Sequence, residues 1–194
     1  MCDIHWGGGI STSFDEYSYW SDYYEFGANA VLQSYDRGNK SEVSRELTEE
    51  ERHIALDNIS QNVIEVARCN PDVEFYIFYP PYSIVWWDSI NNSGMVDYYI
   101  ETMRMLTEEA LKYKNINVFD FFGNYQLVCD LDNYKDYVHY SAEINSKILF
   151  WIRENKFLLT KDNYNEHFEE VRDFYLNYDY DDLFSYLDVI EEGR

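Results

Sequence analysis

Two short β-prone apolar runs alternate along the chain with longer segments in which apolar residues recur at helical spacing. The runs occupy residues 73–79 and 116–122, and their nearly continuous apolar character predicts parallel strands buried on both faces of a sheet. Residues 48–69, 96–114 and 142–155 have the helical spacing. Because crossovers between parallel strands are right-handed, this order predicts an α/β fold with the two strands adjacent, parallel and central, flanked by helices.

Capping and stop signals mark the ends of these elements. Thr48 and Glu51 form a capping-box pattern at the start of the first helix, and Pro80-Pro81 ends the first strand. Ser141 is the predicted N-cap of the third helix. The buried stripe of the first helix is predicted to consist of Leu56, Ile59, Val63 and Val66. A fourth helix, starting after Thr160, is predicted to face the core with Tyr164, Phe168, Val171, Tyr175 and Tyr178.

The same pattern divides the chain into three regions. Residues 1–45 are rich in aromatic residues but lack a regular period, and they are predicted to form an irregular N-terminal arm. Residues 46–180 hold the alternating strands and helices and are predicted to form one α/β domain. Residues 181–194 are predicted to be an acidic C-terminal tail.

The charge of the chain limits its partners. With 15 basic and 37 acidic residues, the formal net charge is −22, and such a field repels nucleic-acid phosphates and anionic lipid surfaces. Nucleic acid is therefore excluded as a partner, whereas a neutral or cationic glycan or acyl-ester substrate is compatible with the charge. Hydrophobic residues make up 46% of the sequence, which is enough for a packed core.

The cysteines and the apolar stretches of the chain add no further constraint on its fold or partners. Cys2, Cys69 and Cys129 are far apart in sequence, and we interpret them as single buried thiols rather than a disulfide framework. No motif predicts a metal site or a cofactor. No stretch reaches the ~18–20 consecutive apolar residues that span a bilayer, and the start lacks a signal-peptide pattern. The chain is expected to be soluble, and its compartment is left open.

The strongest chemical motif is a D-x-x-H formed by Asp136 and His139, between the second strand and the third helix. Across a tight turn, such a carboxylate can accept a hydrogen bond from one ring nitrogen of the imidazole. That bond fixes the tautomer and leaves the other nitrogen free to take a proton from a nucleophile. The spacing predicts half of a hydrolase triad, and the alternative is a loop hydrogen bond without catalysis.

A second segment is predicted to share the rim of the sheet with this motif. Ligands of parallel α/β sheets bind beyond the carboxyl ends of the strands, and Pro81-Tyr82-Ser83 follows a strand end, as the motif does. Pro81, Tyr82, Ser83 and Trp86 are therefore the candidate substrate-binding residues. For Trp86 two interpretations stay open, a platform for stacking a sugar ring or packing at the edge of the core.

The other histidines carry weaker signals. His53 and His167 lie among charged residues on predicted helices, and both are predicted to be surface residues. His5 lies in the glycine-rich start of the chain. None of the three is predicted to be a ligand or a catalytic group.

The strand and motif segments together resemble the C-terminal half of an SGNH/GDSL-type hydrolase. The resemblance is carried by residues 73–83, 116–122 and 136–152, and it runs from about Phe14 to Tyr180. More narrowly, the segments EFYIFYPPYS and NYKDYVHYS resemble bacterial, often membrane-anchored SGNH-like proteins of the cell envelope. The resemblance implies a partial flavodoxin-like three-layer sandwich, in which Asp136 orients His139 and His139 acts as general base and acid.

The chain departs from the family at its nucleophile. The family's G-D-S or G-T-S block after the first strand and its G-x-N-D block are not recognisable here. The serines of residues 9–13 follow glycines, but too few residues precede them for a strand and turn. We interpret the chain as the C-terminal part of an ester hydrolase or acyl transferase acting on cell-envelope glycans. In isolation it is expected to be inactive, and its parent is expected to be membrane-anchored and extracytoplasmic.

Two further expectations follow from the missing segment. The alternative function is a non-catalytic module that interacts with carbohydrate or is a remnant of the fold. If the first strands of the sheet are absent, the strand at 73–79 keeps an unpaired edge, and such an edge templates pairing with another chain. Self-association through this uncovered sheet edge is therefore expected.

Overall fold

A three-stranded sheet lies at the centre of the computed structural model, which describes His5–Trp6, Gly9–Ile10 and residues 24–185. Its strands are β3, β4 and β5, adjacent in that order. β3 and β4 are parallel, with Phe75 opposite Ile116 and Tyr79 opposite Asp120, and β5 runs antiparallel to β4. The strand bounds are Phe75–Tyr79, Ile116–Asp120 and Leu158–Leu159. The predicted parallel neighbours are confirmed, and β5 was not predicted.

Helices connect and flank these strands, so the class of the fold is mixed α/β, as predicted. In chain order the helices are α1 (Ala28–Gln33), α2 (Glu49–Ile59), a π-helical turn (Ser60–Ile64), α3 (Glu65–Cys69), α4 (Ile84–Asn92), α5 (Val96–Ala110), α6 (Tyr125–Val128), a 3-10 turn (Leu131–Asn133), α7 (Ala142–Arg153) and α8 (Tyr164–Asn177). Residues 180–185 are helical as well. A separate two-stranded antiparallel pair consists of β1 (His5–Trp6) and β2 (Gly9–Ile10).

The two faces of the sheet contribute to two hydrophobic clusters. One face carries Ile116 and Val118, which belong to the larger core together with residues of α5 and α8. The other face carries Phe119 and Phe121, which lie in a smaller cluster with residues of α7. Side chains alternate along a strand, and helices on both sides of β4 therefore bury every residue of this central strand except the half-buried Asn117.

β3 corrects the expectation that both strands are central and buried on both faces. It is an edge strand, with Tyr76 54% and Phe78 38% exposed. Their rings contact Phe119 and Phe121 at centroid distances of 6.4 and 5.9 Å. Those phenylalanines pack with α7, whereas Tyr76 and Phe78 lie outside both clusters. Within residues 24–185, no strand pairs with the outer edge of β3.

The first predicted helix contains a break in its regular period. Thr48 and Glu51 form the predicted capping box, with both reciprocal hydrogen bonds present. However, Leu56 and Val66 are 38% and 45% exposed, and the predicted stripe is wrong at these two positions. The π-helical turn accounts for Val66, because its wider i→i+5 bonding shifts the register of everything after it. Leu56 lies before the turn, in α2, where Ile59 is the buried residue. The buried residues of this segment are Ile59, Ile64 and Ala67.

The later helices agree with their predicted positions. Phe168, Val171 and Tyr175 of α8 are buried, as predicted, while Tyr178 lies beyond the end of the helix. Ser141 occupies the N-cap position of α7 with an extended backbone, but its side chain makes no capping hydrogen bond.

Both predicted flanking regions contribute to the core where the structure describes them. Val31 of α1 is fully buried although it belongs to the predicted arm. Within the predicted acidic tail, Leu183 and Phe184 pack against the core. Residues 1–4, 7–8, 11–23 and 186–194 lie outside the described residues.

Candidate functional site

The loop that carries the D-x-x-H closes on itself by backbone hydrogen bonds. The amide of Lys135 donates to the carbonyl of His139 at 3.0 Å, and Tyr134 and Tyr140 form an isolated antiparallel bridge. The amide of Ser141 donates to the carbonyl of Asn133 at 2.8 Å. This closed turn holds the aspartate and the histidine of the motif on one short segment.

Inside the turn, Asp136 and His139 meet as the spacing predicts. Nδ1 of His139 lies 2.8 Å from Oδ2 and 2.9 Å from Oδ1 of Asp136. The same carboxylate accepts the backbone amides of Val138 at 2.9 Å and His139 at 2.7 Å. Because the carboxylate is the acceptor, Nδ1 carries the proton and the imidazole is held in one orientation. The predicted hydrogen bond is confirmed.

The environment of Asp136 keeps its carboxyl ionised. Partial burial of the side chain opposes ionisation, but the backbone amides of His139 and Val138 and the imidazole itself outweigh it. The pKa of Asp136 therefore lies below its ordinary value. Hydrogen bonds donated to a carboxylate favour its charged form. An ionised Asp136 is the state that orients an imidazole and stabilises its protonated form.

The second nitrogen of the imidazole is accessible. The side chain of His139 is 60% exposed, and its hydrogen bonds within the described residues are confined to Nδ1. No serine, threonine or cysteine of residues 24–185 hydrogen-bonds to Nε2. The turn thus presents a free proton acceptor to whatever approaches from solvent.

Hydrogen bonds join this turn to the exit of β3, so the two predicted segments lie at the same edge of the sheet. The hydroxyl of Ser83 donates to the carbonyl of Tyr137 at 2.7 Å. The phenol of Tyr134 donates to the carbonyl of Pro81 at 2.7 Å. On the other side of the turn, the hydroxyl of Ser34 accepts the amide of Tyr137 at 3.0 Å. The predicted proximity is confirmed.

The four candidate substrate-binding residues divide into two buried and two half-buried positions. Pro81 and Ser83 are buried, and Ser83 also caps α4 by accepting the amide of Trp86 at 3.3 Å. The hydroxyl of Ser83 therefore both donates and accepts a hydrogen bond within the protein, and the residue has no exposed surface that a ligand could contact. Tyr82 and Trp86 are half-buried, and any contact with substrate falls to these two side chains.

Trp86 sits inside an aromatic cluster. Its ring is parallel to that of Phe122, at a centroid distance of 5.7 Å and an interplanar angle of 6°. Tyr82, Trp87 and Tyr99 contact it at 4.9, 5.0 and 5.5 Å. These contacts favour packing at the edge of the core over an open platform for a sugar ring.

The structure contains a second aspartate–histidine pair that the sequence analysis missed. Asp120, at the carboxyl end of β4, has a side chain with no exposed surface. It accepts the amide of Phe122 at 2.8 Å and lies 2.5 Å from Nε2 of His167 on α8. The surface position predicted for His167 is wrong, because its side chain is only 22% exposed. His53 is 78% exposed, as predicted.

A signal for this second pair was present in the sequence. Asp120 is a carboxylate inside an otherwise apolar strand, and such a group requires a partner. His167 lies three residues after Tyr164 and four before Val171, on the buried face of α8. Gly123 completes the fit, because a Cβ there would come within 2.7 Å of the imidazole carbon Cε1. The pair fastens α8 to the end of β4.

Comparison with models of protein families, with curated proteins and with solved structures finds no match to this chain. Among the helices of the described residues, none is long and apolar enough to cross a membrane. Within the same residues, no three His, Cys, Asp or Glu side chains converge in a way that could hold a metal ion. The Asp136–His139 pair is therefore the chemical feature from which a function can be inferred.

Proposed function

We propose that Asp136 and His139 form the acid–base half of a serine ester hydrolase or acyl transferase. The observation that carries the proposal is the two-point contact between Nδ1 of His139 and the Asp136 carboxylate, with Nε2 left exposed. The position of the pair supports the same function, since a hydrogen bond joins its turn to Ser83 at the carboxyl end of the parallel strand β3. Ligands of parallel α/β sheets bind at that edge.

The arrangement accounts for each proton in such a reaction. Nε2 of His139 takes the proton of a hydroxyl nucleophile as that oxygen attacks an ester carbonyl, and it returns the proton to the leaving alcohol. Asp136 holds the imidazole in the required tautomer and stabilises the imidazolium formed between the two steps. The acyl group is then bonded to the nucleophile oxygen, and Nε2 takes a proton from water as that water attacks the acyl carbonyl and returns it to the nucleophile as the acid leaves. In an acyl transferase, a second alcohol takes the place of this water.

The nucleophile in this proposal lies outside residues 24–185. Ser83 is the serine closest in sequence to the β3 exit, but its hydroxyl is buried and already bonded to Tyr137 and Trp86. No other described hydroxyl reaches Nε2 of His139. A serine of residues 11–23, such as Ser11 or Ser13, or a segment beyond this chain would have to supply it. Without the nucleophile, the described residues are expected to be inactive.

The finer assignment rests on the sequence resemblance. The segments around Pro80-Pro81 and Asp136 resemble SGNH-like proteins of the bacterial cell envelope. We extend the proposal accordingly to acyl esters of envelope glycans, on the extracytoplasmic side of a membrane, with β3 and β4 forming part of a flavodoxin-like sandwich. A non-catalytic carbohydrate module that acts through Trp86 has less support, because Phe122 already stacks on that ring.

Hydrolysis of p-nitrophenyl acetate tests the proposal with matched variants. We expect wild type to release p-nitrophenol no faster than His139→Ala, because the described residues supply no nucleophile. In a Ser-His-Asp system, absence of the nucleophile lowers the rate by a factor on the order of 10⁶. His53→Ala is the control, since that imidazole is exposed and lies on a different element. Turnover that His139→Ala abolishes and His53→Ala retains would show that a nucleophile lies on this chain and that the pair has its proposed role. Turnover that His139→Ala leaves intact would contradict the proposal.

A further inference from the structure

We propose that the polar cavity between the loop at residues 37–40 and the segment at residues 178–181 binds a small neutral saccharide. The cavity has a volume of about 440 Å³ and its floor is formed by Asn91 and Asn92, at the end of α4. This volume falls within the range of roughly 300–1,000 Å³ that is usual for small-molecule sites. Neither Asp136 nor His139 lines it, so the proposal does not depend on the hydrolase function.

The amide of Asn91 is the observation that points to a ligand. Asn91 is only 7% exposed, it lines the cavity, and its side chain makes no hydrogen bond to any described residue. Its neighbour Asn92 is 9% exposed and donates to Asp88 at 2.9 Å. The amide atoms of Asn91 keep contact with the cavity, since Nε1 of Trp87 is the one fully buried side-chain polar atom without a partner among the described residues. An amide with two donors and an acceptor facing a cavity is matched by a ligand that both donates and accepts.

One wall of the cavity is held in place by hydrogen bonds to a buried carboxylate. The side chain of Asp88 is fully buried, and its oxygens accept hydrogen bonds from Nε and Nη2 of Arg37, each 3.1 Å long at the shortest. The phenol of Tyr35 donates to the same carboxylate at 2.7 Å. Nη1 of Arg37 also lies 2.8 Å from Asp181 on the other rim, whose side chain is 89% exposed. Because Asp88 already holds Arg37 and Tyr35, binding has fewer side chains to order.

The charges around the cavity select a neutral ligand. Two cationic residues, Arg37 and Lys40, face two carboxylates, Asp179 and Asp181, so the lining is balanced. Arg37 is already paired with Asp88 and Asp181, and the net charge of −22 repels anions. Sugar hydroxyls donate and accept hydrogen bonds without carrying charge, and they therefore match the Asn91 amide and the exposed carboxylate of Asp179.

Titration followed by NMR tests the proposal on the whole chain. Glucose and N-acetylglucosamine are the neutral probes, and glucuronate is an anionic sugar of similar size. We expect the neutral sugars to shift the side-chain amide signals of Asn91 and the backbone signals of residues 37–40 and 178–181. Asn91→Leu should weaken this binding by about tenfold or more without lowering the melting temperature. Asn62→Ala, an exposed asparagine on the π-helical turn, is the matched control.

The titration either supports or overturns binding of a neutral sugar in the cavity. Shifts at the cavity that Asn91→Leu removes and Asn62→Ala retains support the site. Absence of shifts with both neutral sugars at millimolar concentration overturns it. Equal binding by wild type and Asn91→Leu, or tighter binding of glucuronate than of either neutral sugar, overturns it as well. The wild-type titration remains decisive if Asn91→Leu fails to fold.

Discussion

The hydroxyl of Ser83 donates a 2.7 Å hydrogen bond to the carbonyl of Tyr137, although the two residues are 54 positions apart. Ser83 lies at the exit of β3, directly after Pro80-Pro81-Tyr82. Tyr137 lies between Asp136 and His139 of the D-x-x-H. The same hydroxyl accepts the amide of Trp86 and so caps α4. One buried oxygen therefore sets both the start of a helix and the position of the candidate catalytic turn.

Replacing Ser83 by alanine tests this double role. We expect Ser83→Ala to lower the free energy of unfolding by about 1–2 kcal/mol, through loss of the N-cap and of one buried hydrogen bond. The amide signals of residues 135–139 should broaden or shift in the same variant. Ser93→Ala is the control, because the hydroxyl of Ser93 donates to the carbonyl of Ile90, one turn back in the same helix. Equal effects of the two variants in urea unfolding and in the amide spectrum would show that Ser83 does not hold the turn.

The Asp120–His167 pair should contribute strongly to stability. Removing one partner of a buried hydrogen bond leaves the other polar group without its partner, which typically costs about 1–3 kcal/mol. We expect His167→Ala to fall near the lower end of that range, since His167 is 22% exposed. His53→Ala should cost less than about 0.5 kcal/mol, as is usual at exposed positions.

A double-mutant cycle separates the pair from its surroundings. In the Asp120→Asn background the carboxylate that faces the imidazole is absent, so His167→Ala should cost clearly less there than in wild type. Urea unfolding of the four variants gives the coupling energy between the two side chains. A coupling energy of zero would show that the 2.5 Å contact makes no contribution.

The lowered pKa of Asp136 predicts how its contribution to stability changes with pH. A carboxyl whose pKa is lower in the folded state binds fewer protons there, so its stabilising effect is complete above the unfolded pKa of about 3.9. That effect is lost as the pH falls through the lower, folded pKa. The difference in unfolding free energy between wild type and Asp136→Asn should therefore be constant near neutral pH and shrink below about pH 4. A difference that grows on acidification would contradict the direction of the shift.

The outer edge of β3 is expected to mediate self-association. The amide of Phe75 and the carbonyl of Tyr79 bond towards the β4 side, so Tyr76 and Phe78 present their backbone groups to the other edge. Their exposed rings add apolar surface to it. Unpaired strand edges template pairing with another chain, while the net charge of −22 opposes approach until salt screens it.

Light scattering at low and high salt measures this association. We expect the average mass to rise with salt in wild type and to stay at the monomer value in Tyr76→Lys, because an edge lysine blocks pairing. Phe150→Lys is the matched control, since Phe150 is 54% exposed but lies on α7. A monomeric wild type at both salt concentrations, or equal loss of association in the two variants, would exclude the β3 edge.

Features with a local cause were predictable from the sequence. The capping box at Thr48 and the contact between Asp136 and His139 each depend on residues three positions apart. The parallel pairing of β3 and β4 follows from two apolar runs joined through helices. In each case the determining residues lie within one turn, or within one strand–helix–strand unit.

Features that depend on tertiary packing were not predictable in this way. The π-helical turn at Ser60–Ile64 shifts the buried positions that follow it from Val66 to Ile64 and Ala67. Tyr76 is exposed because the cluster that α7 forms on this face of the sheet includes Phe119 of β4 but no residue of β3. His167 was assigned to the surface because its partner Asp120 is 47 residues away. The cavity at Asn91 joins three segments whose proximity no sequence spacing indicates.

The central claim is that Asp136 fixes His139 with a proton on Nδ1 and a free Nε2. Long-range ¹H–¹⁵N correlation of the imidazole nitrogens measures this tautomer at a pH where the ring is neutral. We expect His139 to show a protonated Nδ1 and an unprotonated Nε2 in wild type, with a mixture of tautomers in Asp136→Asn, because the amide can donate as well as accept. A proton on Nε2 of the wild-type ring, or a tautomer unchanged by Asp136→Asn, would contradict the account.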